Sequence, residues 1–386
     1  MIRAANGFRI SVRNTAVCLA PNFRQLKGFS IINLGSLQYF RYNSVYSKSI
    51  RLVNTLENRI VPVYKECASP QSIGGKSNLK QLQWPKPPKN ILILKKRMDE
   101  RVDHCFETLV QHLQQTYPDI CIITETDVAK KFSYLNLYTW TEISDLEQKV
   151  DAIITVGGDG TILHAASLFA RSGMPPILSF SLGTLGFLLP FDFGSFQTAF
   201  ADFYNSRSFV LMRMRLRVAM KTKLYNESIY AMNEMHIHRG LSPHMAVLKV
   251  FVNDKFLTEA VADGLIISTP TGSTAYSLSS GGPIVHPSIN ALLLTPICPN
   301  SLSFRPVLFP DTFKISIETS NKSRVRPQLS IDGRPLGLTD IGQRIDITSV
   351  KDNAIPCIIR SHKEDDWVSD IVSLLRWNHP FHRKGW

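Results

Sequence analysis

Three glycines close around one acid at Gly157-Gly158-Asp159-Gly160-Thr161, and that grouping of residue types points to phosphate chemistry. Glycine lets the backbone adopt positive φ, and lets a ligand approach amide N–H groups that a side chain would shield. Residues 152–156 are an apolar, β-type run and residues 161–169 are compatible with helix, so the glycines fall where a strand turns into a helix. A helix start carries unpaired N–H donors and the positive end of a dipole, which suits an anion. Asp159 is out of place beside phosphate unless it holds a magnesium ion or takes the proton of a hydroxyl that attacks phosphorus. The same spacing alone also serves as a plain turn between two elements.

Two further stretches are too polar for their surroundings. Asn233-Glu234 interrupts a strand pattern over 228–238, and its amide and carboxyl match the donors and acceptors of a ribose diol or an adenine edge. An exposed strand face is the plainer alternative. From Asp263-Gly264, a strand over 265–268 runs to Thr269-Pro270, after which Thr271, Ser273, Thr274, Ser277 and Ser279 crowd a helix predicted over 274–280. An N-cap requires one hydroxyl, so this density favours a polar ligand. A second glycine turn at Gly183 and Gly186 ends in Phe187, a ring placed either against a flat ligand or in the core.

The elements that must hold these residues alternate at first. Strands over 90–94, 120–124, 152–156 and 176–180, with helices over 100–115 and 162–172 and an irregular 131–146, predict a parallel α/β sheet. Ligands bind such sheets at the C-terminal ends of the strands, where Gly157 falls. From 210 the texture changes. Arg213, Arg215 and Arg217 alternate with Met214, Leu216 and Val218, the period of a half-buried strand. Strands follow over 246–252, 314–318, 328–331 and 344–348, and Asn253-Asp254 and Asp332-Gly333 read as hairpin turns. The expected organisation is an α/β domain over 89–209 and a mostly β sandwich over 210–363. A closing segment, 364–386, carries an apolar-faced helix at 366–377 that packs back on the first domain. Residues 57–88, with Pro85, Pro87 and Pro88, read as a linker.

The chain has 386 residues and a formal charge of +13. Residues 1–56 hold eight Lys or Arg and no Asp or Glu; removing those eight from +13 leaves +5. A basic, Ser-rich, acid-free leader predicts a mitochondrial targeting segment over 1–56, read by the import machinery and directing the chain to the matrix. With the excess located there, nucleic acid is not the expected partner. No apolar run approaches the ~18 residues that span a bilayer. The six cysteines show no C-x-x-C spacing, which argues against a zinc site or a disulfide framework.

Taken in order, Gly157 to Thr161, Asn233-Glu234, Asp263 to Gly282 and the stretch Thr295 to Pro306 resemble the NAD kinase family over about residues 90–377. With its basic leader the chain is similar above all to the fungal mitochondrial NADH kinases of that family. The resemblance implies a Rossmann-like α/β N-terminal domain, a β-sandwich C-terminal domain and a nucleotide site between them. It implies ATP-dependent phosphorylation of the adenosine ribose 2′-hydroxyl of NADH and NAD⁺, giving NADPH and NADP⁺ for reductive biosynthesis and oxidative-stress defence. Mg²⁺ would arrive with ATP rather than on fixed protein ligands. By the same resemblance Asp159 is the general base, and Gly157, Gly158, Gly160 and Thr161 line the ATP phosphates. Asp159, Gly160, Phe187, Asn233, Glu234, His244, Asp263, Thr274, Ala275, Tyr276 and Ser279 bind the dinucleotide, and the chain forms a homo-oligomer. Val261 departs from the family, where many relatives have a polar or basic side chain, which puts fine substrate preference in doubt. Two rivals stand beside this reading. A lipid kinase of the diacylglycerol or sphingosine type shares the glycine turn, and a non-catalytic dinucleotide sensor would tolerate loss of Asp159.

Overall fold

The computed structural model describes residues 51–66, 78–183, 186–221, 226–360 and 365–376. Nearly all of the predicted targeting segment, and Thr184 and Leu185 of the second glycine turn, lie outside them. Short β1 (Arg51–Leu52), β2 (Val63–Glu66) and β3 (Leu79–Gln83) lead into the α/β part. There follow β4 (Asn90–Lys95), α1 (Glu100–Thr116), β5 (Cys121–Ile123), α2 (Thr126–Lys131), β6 (Tyr138–Thr139), α3 (Ile143–Lys149) and β7 (Ala152–Val156). Then come α4 (Asp159–Leu168), β8 (Ile177–Ser181), β9 (Phe191–Asp192) and α5 (Phe196–Tyr204).

The parallel sheet runs β1-β6-β5-β4-β7-β8, with β9 beyond. Helices cover both faces, so β4 and β7 are buried at every residue and are apolar except at Asn90, Lys95 and Thr155. In α1 the helical spacing of Val102, Phe106, Leu109 and Leu113 makes the buried stripe, and Asp99 caps the start by accepting the Arg101 N–H. The helices α2 and α5 and the strand β6 arise where the sequence showed no clear period.

The described residues of 57–88 are not the linker expected of them, and residues 67–77 lie outside the described residues. β2 and β3 pair as an antiparallel hairpin and β3 continues onto the first long strand of the second part. The prolines interrupt this segment without detaching it, because neighbouring residues are anchored. Trp84 Nε1 donates to Phe203 O at 3.0 Å, and the buried Asp151 carboxylate accepts the N–H groups of Ile60, Lys89 and Asn90.

The second part comprises β10 (Phe209–Lys221), β11 (Asn226–Ala231), β12 (Glu234–His238), β13 (Ala246–Val252), β14 (Lys255–Ser268) and α6 (Tyr276–Ser279). After these come β15 (Ala291–Pro299), β16 (Val307–Pro310), β17 (Ile315–Thr319), β18 (Gln328–Ile331), β19 (Arg334–Leu338), β20 (Arg344–Ile359) and α7 (Asp365–Leu375). Pairing is antiparallel along β11-β10-β20-β17-β13-β14-β12-β18-β19, around a core that includes Leu216, Ile237, Leu248, Ile267, Ile317 and Ile347. Both expected hairpin turns form. Asn253 and Asp254 have φ of 48° and 64°, and Asp332 and Gly333 have 47° and 74°, the paired left-handed conformations that match strand twist. The helix expected over 274–280 is shorter, since a 3-10 turn at Thr271–Thr274 precedes α6. β20 outruns its prediction, and its Cys357 bridges in parallel to Ile177 of β8, joining the two parts through hydrogen bonds.

Candidate active site

Gly157 leaves β7 with φ of 153°, and a Cβ there would lie 2.6 Å from Thr161 Oγ1 and 2.8 Å from Lys96 Cβ. Only glycine fits. Its own N–H donates to Phe180 O at 3.0 Å, so its contribution is conformational. The amide role falls to Gly158, the N-cap of α4, and to Gly160 in the first turn. Thr161 packs beneath them, largely buried.

A cavity of about 390 Å³ opens over this turn, with Lys96, Arg97, Glu125 and His164 among its walls. Glu125 organises it. Its carboxylate accepts from Arg97 Nη2 at 2.7 Å and meets His164 Nε2 at 3.1 Å, and these two, His164 foremost, hold it below the usual carboxylate range. A basic cavity over a helix N-terminus suits a polyphosphate. None of these four residues was singled out from the sequence. The available signal was the basic run Lys95-Lys96-Arg97 at the C-terminal end of β4, the neighbour of β7.

Asp159 begins α4 and turns back to the loop after β8, where Leu188 N–H donates to its Oδ1 at 3.2 Å. A Cβ on Gly186 would lie 2.3 Å from that oxygen, so the second glycine turn exists partly to admit the acid. Burial pushes the Asp159 carboxyl up, while the N–H groups of Leu188 and Phe187 and the charge of Arg213 pull it back. The net rise makes it a somewhat stronger base than a free aspartate. Phe187 is half-buried in the same loop.

Arg213 is buried, donates from Nη1 to Thr271 Oγ1 at 3.2 Å, and keeps an unpartnered Nε. Sequence periodicity had marked it only as strand. Removing its charge in Arg213→Met raises the Asp159 carboxyl further, so the acidic limb of the kcat profile moves to higher pH. The expected result is that activity falls away on the acid side at a higher pH in the variant than in the wild type. An unmoved limb would show that the base does not feel Arg213.

Asn233 and Glu234 straddle the break between β11 and β12, and the Asp332 carboxylate pins that break. It accepts the N–H groups of Met232 at 2.8 Å, Asn233 at 2.8 Å and Glu234 at 3.1 Å. Both residues are buried, so the exposed-face alternative does not hold. Asn233 Oδ1, Glu234 Oε2 and the Oγ of Ser268, which faces Glu234 across β12 and β14, are buried without partners. Such atoms are costly, and three together mark a place that a ligand completes.

Much of the hydroxyl-rich stretch serves structure. A Cβ on Gly272 would lie 2.2 Å from Asn233 O, and Thr269 Oγ1 donates to Met232 O at 2.7 Å. Ser277 Oγ pairs with Thr295 Oγ1 at 2.8 Å, and Ser273 Oγ accepts the Val285 N–H at 2.9 Å. Those hydroxyls are spent inside, whereas Thr274 and Ala275 are half-buried and Tyr276 and Ser279 are exposed. Tyr276 meets the His236 ring edge-on at 5.3 Å, and Asp263 accepts from Arg239 Nε at 2.7 Å.

Asp159, Phe187, Arg213, Thr271 and the Asn233-Glu234 break thus form one linked group. His244 stands apart: it is exposed on the loop after β12, and among the described residues no hydrogen bond or ring contact ties its side chain to the others.

Residues 51–209 match the ATP-NAD kinase N-terminal domain and residues 232–356 the ATP-NAD kinase C-terminal domain. The chain is 38% identical over 352 residues to the mitochondrial NADH kinase POS5 of Saccharomyces cerevisiae, covering 79% of this chain and 84% of that protein. It is 33% identical to the NAD(+) kinase of the same yeast over 322 residues, covering 75% of this chain and 60% of the relative. The crystal structure of yeast NADH kinase complexed with NADH superposes with a TM-score of 0.79 at 37% identity, over 87% of this chain and 99% of the other.

Proposed function

The chain belongs to the NAD kinase family, and from that premise we propose that it transfers the γ-phosphoryl group of MgATP to the adenosine ribose 2′-hydroxyl of NADH and NAD⁺. ATP-dependent phosphorylation of NAD(H) is the activity of the family. The finer reading concerns which residues do the work. The basic cavity at Lys96, Arg97 and Gly158 receives the triphosphate, with Mg²⁺ entering as its counter-ion. Asn233 and Glu234 receive the adenosine end of the acceptor, and Asp263, Thr274, Ala275, Tyr276 and Ser279 extend along the dinucleotide. The 2′-oxygen bonds to phosphorus, the bond to the β-phosphate oxygen breaks, ADP leaves, and the hydroxyl proton passes to Asp159 as charge develops.

The observation that carries this reading is the place of Asp159. It lies in the first turn of the phosphate helix and packs against the Gly186 to Leu188 loop, with Arg213 leading from it toward the acceptor cradle. A lipid acceptor would call for an apolar cleft, whereas the residues in question are a buried amide, a carboxyl and a serine. The acid-free leader and the mitochondrial relative support a matrix enzyme that makes NADPH in place. Self-association belongs to this reading too, and gives the detached His244 a use if a neighbouring subunit presents it.

The test is a paired steady-state assay on the full chain with MgATP and either NADH or NAD⁺. A higher kcat/KM for NADH is expected. Equal or reversed values would leave a general NAD kinase, and no product from either acceptor would sink the phosphotransfer assignment.

A further inference from the structure

Two carboxyls, the buried Glu234 and the half-buried Asp332, lie near one end of β12, and their surroundings decide which of them carries a proton. Burial pushes the Asp332 carboxyl up too, but it accepts three backbone N–H groups, from Met232, Asn233 and Glu234, and feels the charge of the buried Arg215 guanidinium, and all of these oppose the rise. Glu234 has nothing comparable. Its Oε2 is buried without a partner, no ion pair among the described residues includes it, and the charge it feels is that of Asp332. One guanidinium balances one carboxylate, and a second dry carboxylate beside an anion costs more than protonating it.

We propose that Glu234 receives the acceptor as a neutral acid whose O–H is a hydrogen-bond donor, and that Asp332 is the positioning residue that holds it in that form. The proposal rests on the assignment of the Asn233-Glu234 break to the adenosine end of the dinucleotide. An amide and a protonated carboxyl each pair a donor with an acceptor, which matches an adenine edge or a ribose hydroxyl. An ionised Glu234 would offer acceptors alone and would repel the acceptor's pyrophosphate.

The other groups packed around the break do not supply a counter-charge. Ser268 on β14 is neutral, and so is the Tyr276 phenol on α6, which partial desolvation pushes up although the residue as a whole is exposed. Burial and His238 push His236, two residues along β12, down to about 4, so it is uncharged at neutral pH. Arg213 is engaged with Thr271 and Asp263 with Arg239. In this setting burial, followed by Asp332, pushes the Glu234 carboxyl up to about 8.

The experiment is NADH binding to the full chain without ATP, followed by fluorescence between about pH 6 and pH 10. The expected Kd is flat up to about pH 8 and then weakens about tenfold per pH unit. In Glu234→Gln the Kd does not vary with pH over that window, and near pH 9.5 the variant binds NADH more tightly than the wild type. Asp332→Asn moves the break to lower pH, because a neighbouring negative charge is gone. A wild-type Kd that stays flat or tightens as pH rises, or a Gln variant that follows the wild-type slope, would overturn the proposal.

Infrared difference spectra with isotope-labelled glutamate give a second readout that does not depend on turnover or on any ligand. A protonated-carboxyl band at pH 7 that vanishes in Glu234→Gln is expected, and its absence from the wild type refutes the neutral acid. A band present with no NADH binding at any pH would refute the acceptor assignment instead.

Discussion

Asp159→Asn lowers kcat by about 10³-fold while NADH and ATP still bind within about threefold. Asn has the same shape, and its Oδ1 still accepts the Leu188 N–H that the aspartate holds at 3.2 Å, so the loop that Gly186 admits stays in place. What disappears is the proton acceptor. A positioned base contributes 10²–10⁴-fold, roughly, and this site raises the basicity of Asp159 by burying it. The measurement is kcat beside direct titration of each nucleotide. A variant within tenfold of the wild-type kcat would remove Asp159 from the proton transfer, and one that lost nucleotide binding would mark it as structural.

The second large effect is on stability. Arg215 is fully buried, and its guanidinium donates to Phe169 O at 3.0 Å, Ser172 O at 2.6 Å and Asn353 O at 2.7 Å, with Asn353 Oδ1 closing the set. Phe169 is the C-cap of α4, so a strand of the second part satisfies carbonyls at the far end of the helix that Asp159 begins. The cation also lies over the Tyr230 ring at 4.7 Å, and although burial lowers its pKa to about 10 it remains charged at neutral pH. Arg215→Met leaves several acceptors dry and Asp332 without its cation, and is expected to cost about 3–5 kcal/mol of unfolding free energy. Arg215→Lys recovers only part of this, because an ammonium lacks the planar fork. Urea denaturation at fixed protein concentration measures both, and a loss below about 1 kcal/mol for the Met variant would contradict the role.

The sequence revealed what is local. β4 and β7 were legible because a strand covered on both faces carries apolar residues on both, as Ile91 to Leu94 and Ala152 to Ile154 do, and β13 and β18 because their ends coincide with a change of pattern. The two left-handed hairpin turns were legible from Asn-Asp and Asp-Gly alone. Residues 57–88 misled because Pro85, Pro87 and Pro88 report only on local backbone, while the hairpin of β2 and β3 depends on pairing with β10. The site divides the same way. Asp159 and its glycines declare themselves in five consecutive residues, but the second use of Asp332, as the anchor of the Asn233-Glu234 break, joins positions 100 residues apart. Glu125 and His164 belong to α2's approach and α4's exposed side, and nothing in their own neighbourhoods says that they meet.

The bridge between Cys357 and Ile177 bears on how the chain is made. A ribosome delivers β8 long before β20, so the nascent parallel sheet waits with an unfinished margin while the second part is still being synthesised. An unpaired strand margin invites pairing with other chains. Closing it late raises the mean sequence separation of native contacts, which slows folding. The two halves are therefore not interchangeable cassettes: a shortened chain ending before β20 would leave the Ile177 end of β8, which β9 does not reach, and one side of β10 without their partner.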